Sequence, residues 1–173
     1  AAVAAALAGG ARLVQYRDKG TQRQRREQEA GALVALCRDH GVPLIINDDV
    51  ELACSVGAAG VHLGAEDAGI AEARMRLGAN AIIGASCYGS IDWARQLAAA
   101  GADYLAFGAF FPSPTKPGAA RAEPGVLAHL RAQRRYRGDR CGLRPASPPP
   151  RASRALPWPP LATRCAREGR PSG

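Results

Sequence analysis

No stretch of this 173-residue chain is long and apolar enough to read as a membrane-spanning helix. The opening run, Ala1 to Gly10, has no basic segment and so does not read as a signal peptide. It reads instead as a helix whose preceding chain is missing. The five cysteines (37, 54, 87, 141, 165) have no paired metal spacing, and their number is odd. Cys37 and Cys54 fall within helical patterns and are expected to be small buried residues, which fits a reducing cytoplasm. The sequence offers no Ser-His-acid or Cys-His pair, which argues against covalent acyl transfer. His62 lies within an apolar run and is expected to be a satisfied core residue, with Cys87 a bystander.

Negative charge is scarce at one end. Residues 131–173 hold eleven arginines against Asp139 and Glu168, a net +9. The whole chain carries +8, so residues 1–130 stand at −1. The basic balance thus belongs to a tail, not to the body. That tail has no lysine and no Gly-aromatic pattern, and only Tyr136 and Trp158 could stack on bases. A basic nucleic-acid-binding protein is therefore the weaker reading. From Arg134 onward there is no apolar run long enough for a strand, and Arg, Pro, Ala and Ser dominate. The segment 134–173 reads as disordered or out of frame. Residues 1–133 form one domain, and a 47% apolar fraction can supply its core.

Within that domain, strand and helix patterns alternate. Ala1 to Ala8 is helix-forming and ends at Gly9-Gly10. Strands are predicted at Arg12 to Tyr16, Leu44 to Ile46, Val61 to Leu63, Ala81 to Gly84 and Tyr104 to Phe107. Helices are predicted from Thr21, as N-cap, to about Asp39, then over Val50–Val56, Ile70–Leu77 and Ile91–Ala100, with one more starting at Val126 to Arg131. Alternation of this kind gives a parallel sheet with covering helices. Every strand end carries polar or Gly residues. That favours a barrel, whose site collects side chains from many strands, over a doubly wound sheet with a single crevice.

The central stretch is Ile45-Ile46-Asn47-Asp48-Asp49-Val50. Two carboxylates and an amide sit where a strand stops and a helix starts. One aspartate can cap the helix while the other points at a ligand; both could equally be turn chemistry. Gln15, Arg17 and Lys19, then Glu66 and Asp67, Ser86, and finally Ser113, Thr115 and Lys116 also follow strands. Carboxylates converging with cations suggest a hard divalent metal bridging to phosphate. Arg17 can fork onto phosphate oxygens, while Lys19 and Lys116 act as point charges.

Five segments, VQYRDKG (14–20), PLIINDDVELA (43–53), GVHLGAEDAGIAEAR (60–74), IIGASCY (82–88) and GADYLAFGAFFPSPTKPGA (101–119), occur in an order and spacing that resemble the thiamine phosphate synthase family. The resemblance covers roughly residues 5–130 and implies a TIM (β/α) barrel. It also implies condensation of hydroxymethylpyrimidine diphosphate with hydroxyethylthiazole phosphate, releasing pyrophosphate. By this resemblance Gln15 faces the pyrimidine ring, and Arg17, Lys19, Asn47, Ser86 and Lys116 hold the diphosphate. Arg17, Lys19, Ser86 and Lys116 are the implied catalytic residues. Tyr16, Asp18 and the segment Ser113-Pro114-Thr115 complete the implied substrate contacts, with Ser113 keeping a hydroxyl where the family has Thr. Asp48 and Asp67 are the implied Mg²⁺ ligands.

The family pattern also has a strand before the first helix and two closing strands carrying Gly-Gly-Ile and Ile-Ser-Gly segments. None is recognisable here, so a truncated, unclosed barrel is expected, with exposed strand edges, poor folding and weak activity. A thiazole tautomerase-like paralogue and an inactive remnant remain as alternatives.

Overall fold

The structure is a computed structural model and describes residues 2–64, 69–110, 122, 125 and 126. Ten elements alternate: α1 (Ala2–Ala8), β1 (Val14–Tyr16), α2 (Arg23–Asp39), β2 (Leu44–Asn47), α3 (Val50–Val56), β3 (Gly60–Leu63), α4 (Ile70–Leu77), β4 (Ile82–Tyr88), α5 (Ile91–Ala99) and β5 (Tyr104–Phe107). The five strands are all parallel and lie side by side in chain order, β1-β2-β3-β4-β5. A doubly wound sheet reverses strand order at its crevice. No reversal occurs among the described strands, so they form one wall of a barrel, a half-barrel with its helices outside.

Period-2 alternation splits each strand between two environments. Leu44, Ile46, Val61, Leu63, Ile83, Ala85, Cys87 and Leu105 point outward and pack with Ala30, Val34, Cys37, Leu52, Ala53, Ile70, Ala73, Leu77, Ala94 and Leu97 from the helices. This layer is the hydrophobic core. Gln15, Asn47, His62, Ser86 and Tyr104 occupy the alternate positions and face the inside of the barrel.

Helix ends are set by local chemistry. Asp49 caps α3, its Oδ1 accepting the Leu52 N–H at 2.8 Å, and Gly57 ends the helix in the left-handed region at φ 65°. Ser90 caps α5 by accepting the Trp93 N–H at 3.1 Å. The expected cap Thr21 does not cap α2. The helix begins one residue later, with Gln22 at the cap position and no side-chain cap bond. Its first turn is held by side chains instead, through Arg23–Glu27 and Arg25–Glu29 pairs at 3.0 Å.

Three other expectations need correction. β1 starts at Val14, not Arg12, and Leu13 is exposed. β4 runs to Tyr88, well past Gly84, because Ala85 and Cys87 pack in the core and Ser86 and Tyr88 pair with Ala106 and Phe107. Cys37 is buried as expected, but Cys54 is only partly buried. The expected helix over 126–131 lies outside the described residues except for Val126, and the whole of 134–173 lies outside them.

The ends of β4 and β5 opposite the polar rim are tied by Arg74. Its guanidinium donates to the carbonyls of Ala79, Ala81 and Gly101 and pairs with Asp103 at 2.7 Å. Asp103 in turn accepts the Ile83 N–H at 2.8 Å.

Candidate active site at the carboxyl ends of the strands

β1 delivers Gln15 to the inner face and then the loop Arg17-Asp18-Lys19-Gly20. Asp18 holds that loop in shape. Its carboxylate accepts the Gly20 N–H at 2.8 Å and pairs with Arg25 of α2. Arg17 and Lys19 on either side are exposed and form no ion pair among the described residues. Cations that pair with no carboxylate among the described residues suit an anionic ligand. Tyr16 alternates to the outer face, where its hydroxyl donates to Glu29 at 2.8 Å. Burial, then the Glu29 carboxylate, pushes its pKa up to about 12.

β2 delivers Asn47, whose Oδ1 accepts from Gln15 Nε2 at 3.3 Å. Asp48 follows with φ 66°, in the left-handed region that Asp tolerates better than most residues. Its N–H still donates to the His62 carbonyl at 2.9 Å, so the sheet ladder reaches into the turn. Asp49 has returned to extended backbone and faces the helix. Besides capping α3, it pairs through Oδ2 with Arg26 at 2.8 Å. Of the two adjacent aspartates, Asp49 caps the helix and Asp48 stands at the rim.

These residues meet in one open cleft of about 360 Å³, lined by Asp18, Lys19, Arg26, Asn47, Asp48, Asp49, Val50, Glu51 and Arg76. Arg76 and Arg23 both approach Glu51, at 3.6 Å. Five of the residues singled out from sequence thus share the cleft: Asp18, Lys19, Asn47, Asp48 and Asp49. Gln15 is linked to it through Asn47. Glu66, Asp67, Ser113, Pro114, Thr115 and Lys116 lie outside the described residues.

Ser86 comes from two strands further on, within β4 rather than beyond its end. The sequence offered no Ser-His-acid set, and the fold brings a serine and a histidine together. His62 Nε2 lies 2.8 Å from Ser86 Oγ, and His62 Nδ1 lies 2.9 Å from the Tyr104 hydroxyl. His62 is buried and satisfied, as expected of a core histidine, but one of the groups that satisfy it is a candidate site residue. The group at the second imidazole nitrogen is the Tyr104 hydroxyl, where an acyl-transfer triad has a carboxylate. Gly84 gives the tyrosine its place, since a Cβ there would stand 1.9 Å from Tyr104 Cζ. Sequence reasoning missed Arg26, His62 and Tyr104 as neighbours of the site. Alternation could have placed His62 on Asn47's face. Nothing local pairs Tyr104 with it.

The thiamine monophosphate synthase family model matches residues 1–137. The chain is 59% identical over 128 residues to a thiamine-phosphate synthase of Thiobacillus denitrificans, covering 74% of this chain and 61% of that protein. It is 59% identical over 132 residues to one of Chromobacterium violaceum, covering 76% and 64% respectively. A solved thiamine phosphate pyrophosphorylase from Pyrococcus furiosus superposes with a TM-score of 0.61 at 36% identity, covering 69% of this chain and 56% of that one. The chain thus spans a little over 60% of the length of these curated relatives. With a parallel half-barrel, a polar rim at the strand ends and this degree of identity, the chain belongs to the thiamine monophosphate synthase family.

Proposed function

We propose that this chain carries the diphosphate half of a thiamine phosphate synthase site. The reaction joins a pyrimidine bearing a methyl diphosphate to a thiazole bearing a phosphoethyl arm. The bond from the pyrimidine methylene carbon to the diphosphate oxygen breaks, its electron pair leaves with pyrophosphate, and the thiazole nitrogen captures the resulting carbocation. The observation that carries this reading is the cleft where Lys19, in no ion pair among the described residues, meets Asn47 and Asp48 at the carboxyl edge of a parallel sheet. The identity to thiamine-phosphate synthases supports it.

Arg17 and Lys19 would bind the diphosphate and stabilise the charge that grows on it as the bond breaks. Asn47, held by Gln15, and Ser86 would donate to its oxygens, and Lys116 would add a third cation. Gln15 would face the pyrimidine, and Ser113 to Thr115 the thiazole phosphate. Asp48 and Asp67 would hold Mg²⁺, which when bound supplies further neutralisation of the leaving group. Among the described residues no cluster of three or more His, Cys, Asp or Glu forms a metal cage. Asp48 fits the sparser demand of Mg²⁺, which takes one or two carboxylates alongside waters and phosphate oxygens. We place this chemistry in the cytoplasm, acting on small molecules. No helix among the described residues is long and apolar enough to cross a membrane.

The test is formation of thiamine phosphate by the purified chain from both substrates, with and without Mg²⁺. Metal-dependent product is expected, and Asp48→Ala is expected to lose it by at least about a hundredfold. Near-normal turnover by that variant rejects the metal assignment. Failure of the intact chain to bind the pyrimidine diphosphate rejects the synthase reading.

A further inference from the structure

We infer that His62 is a positioning residue for Ser86, and that Tyr104 sets which imidazole nitrogen carries the proton. This rests on the assignment of Ser86 to the diphosphate site. The three side chains come from three strands, β3, β4 and β5, and meet only on the inner face of the barrel wall. Imidazole Nε2 lies 2.8 Å from Ser86 Oγ, and Nδ1 lies 2.9 Å from the Tyr104 hydroxyl.

The direction of the hydrogen bonds follows from donor strength, since a phenol hydroxyl is a better donor than a serine hydroxyl. Burial holds the Tyr104 phenol up at about 12, so it keeps its proton and can donate to Nδ1. A neutral imidazole that accepts at Nδ1 carries its own proton on Nε2. Nε2 then donates to Ser86 Oγ. The hydroxyl, with a lone pair engaged by His62, has its proton left for an acceptor on the inner face. A diphosphate oxygen is such an acceptor. The chain of donors runs Tyr104 to His62 to Ser86 to ligand, opposite in sense to a nucleophile-activating pair, in which the imidazole would take the serine proton. Gly84 belongs to the same device, because any side chain there would meet the Tyr104 ring.

The experiment measures binding of inorganic pyrophosphate with Mg²⁺ to the full chain by calorimetry. Ser86→Ala is expected to weaken binding about tenfold, the usual loss of a hydrogen bond to a charged acceptor. His62→Asn, whose amide reaches the Nδ1 position but not Nε2, is expected to match it. His62→Gln, whose amide reaches the Nε2 position, is expected to bind within about threefold of the parent chain. The Ser86→Ala/His62→Asn double variant is expected to bind no more weakly than Ser86→Ala alone, because both changes remove one interaction. Additive losses overturn the inference and leave the diphosphate assignment standing. Unchanged binding by Ser86→Ala overturns that assignment and the inference with it. Should His62→Asn fail to fold, Tyr104→Phe carries the test. It is expected to weaken binding in the parent chain but not in the Ser86→Ala background, and an equal effect in both overturns the inference.

Discussion

Asp48 and Asp49 share a side-chain chemistry and differ in backbone. Asp48 sits at φ 66° and Asp49 at φ −97°, so their carboxylates leave the chain in different directions. Asp49 is spent on the fold, through the Leu52 N–H and through Arg26. Asp49→Ala therefore removes a cap and strips a mostly buried guanidinium of its counter-charge. A loss of about 2 kcal/mol is expected in urea unfolding. Asp49→Asn keeps the cap acceptor and should recover about half of that. Equal stability of all three proteins would show that the cap and ion pair contribute nothing. Lys19 and Arg17 contrast with Arg25 and Arg26 in the same region. The latter pair spend their charge on Asp18 and Asp49, and the former form no ion pair among the described residues.

Each βα unit has a working end and a supporting end. At the carboxyl end of the strands stand Gln15, Asn47 and Asp48. At the other end of β4 and β5, Arg74 and Asp103 gather backbone groups that no strand neighbour satisfies. A change at the supporting end should alter stability and leave the site alone. Asp103→Ala is expected to lower the urea midpoint by an amount equal to about 2 kcal/mol, since it removes the guanidinium's counter-charge and strands the Ile83 N–H. Pyrophosphate binding below the transition should stay within about twofold. A parallel loss of binding at full folding would mean that the two ends of the sheet are coupled.

Over the whole molecule, charge is unevenly distributed along the chain. The −1 body holds the half-barrel, and the +9 belongs to residues 131–173. Two of the four tyrosines, Tyr16 and Tyr104, lie on opposite faces of the wall, and both are held at a pKa of about 12. Unfolded, each would titrate near 10.0. The native state therefore keeps protons that the unfolded chain loses. Stability from this source is complete below pH 10 and falls as pH rises from 10 toward 12. Spectrophotometric titration is expected to show these two phenols ionising only near pH 12 or with unfolding, and the urea midpoint should drop over the same window. Normal ionisation of all four tyrosines in a folded chain would contradict the burial of Tyr104 and the Tyr16–Glu29 bond.

The sequence by itself determined the described elements and, at the rim, the turn from Asn47 to Asp49. The helices at Val50–Val56 and Ile70–Leu77 and the strand at Tyr104–Phe107 are legible because periodicity and caps act over a few residues. Asn47, Asp48 and Asp49 are legible as a turn for the same reason. Neighbouring residues compete locally, however, and that competition blurred Thr21 against Gln22 and the length of β4. Only the tertiary structure decided which aspartate turns to the helix, that the strands follow one another without reversal, and that His62 joins Ser86 to Tyr104. Those bonds span 24 and 42 residues. They depend on strand register, which fixes side-chain facing by pairing segments that carry no mark of one another along the chain.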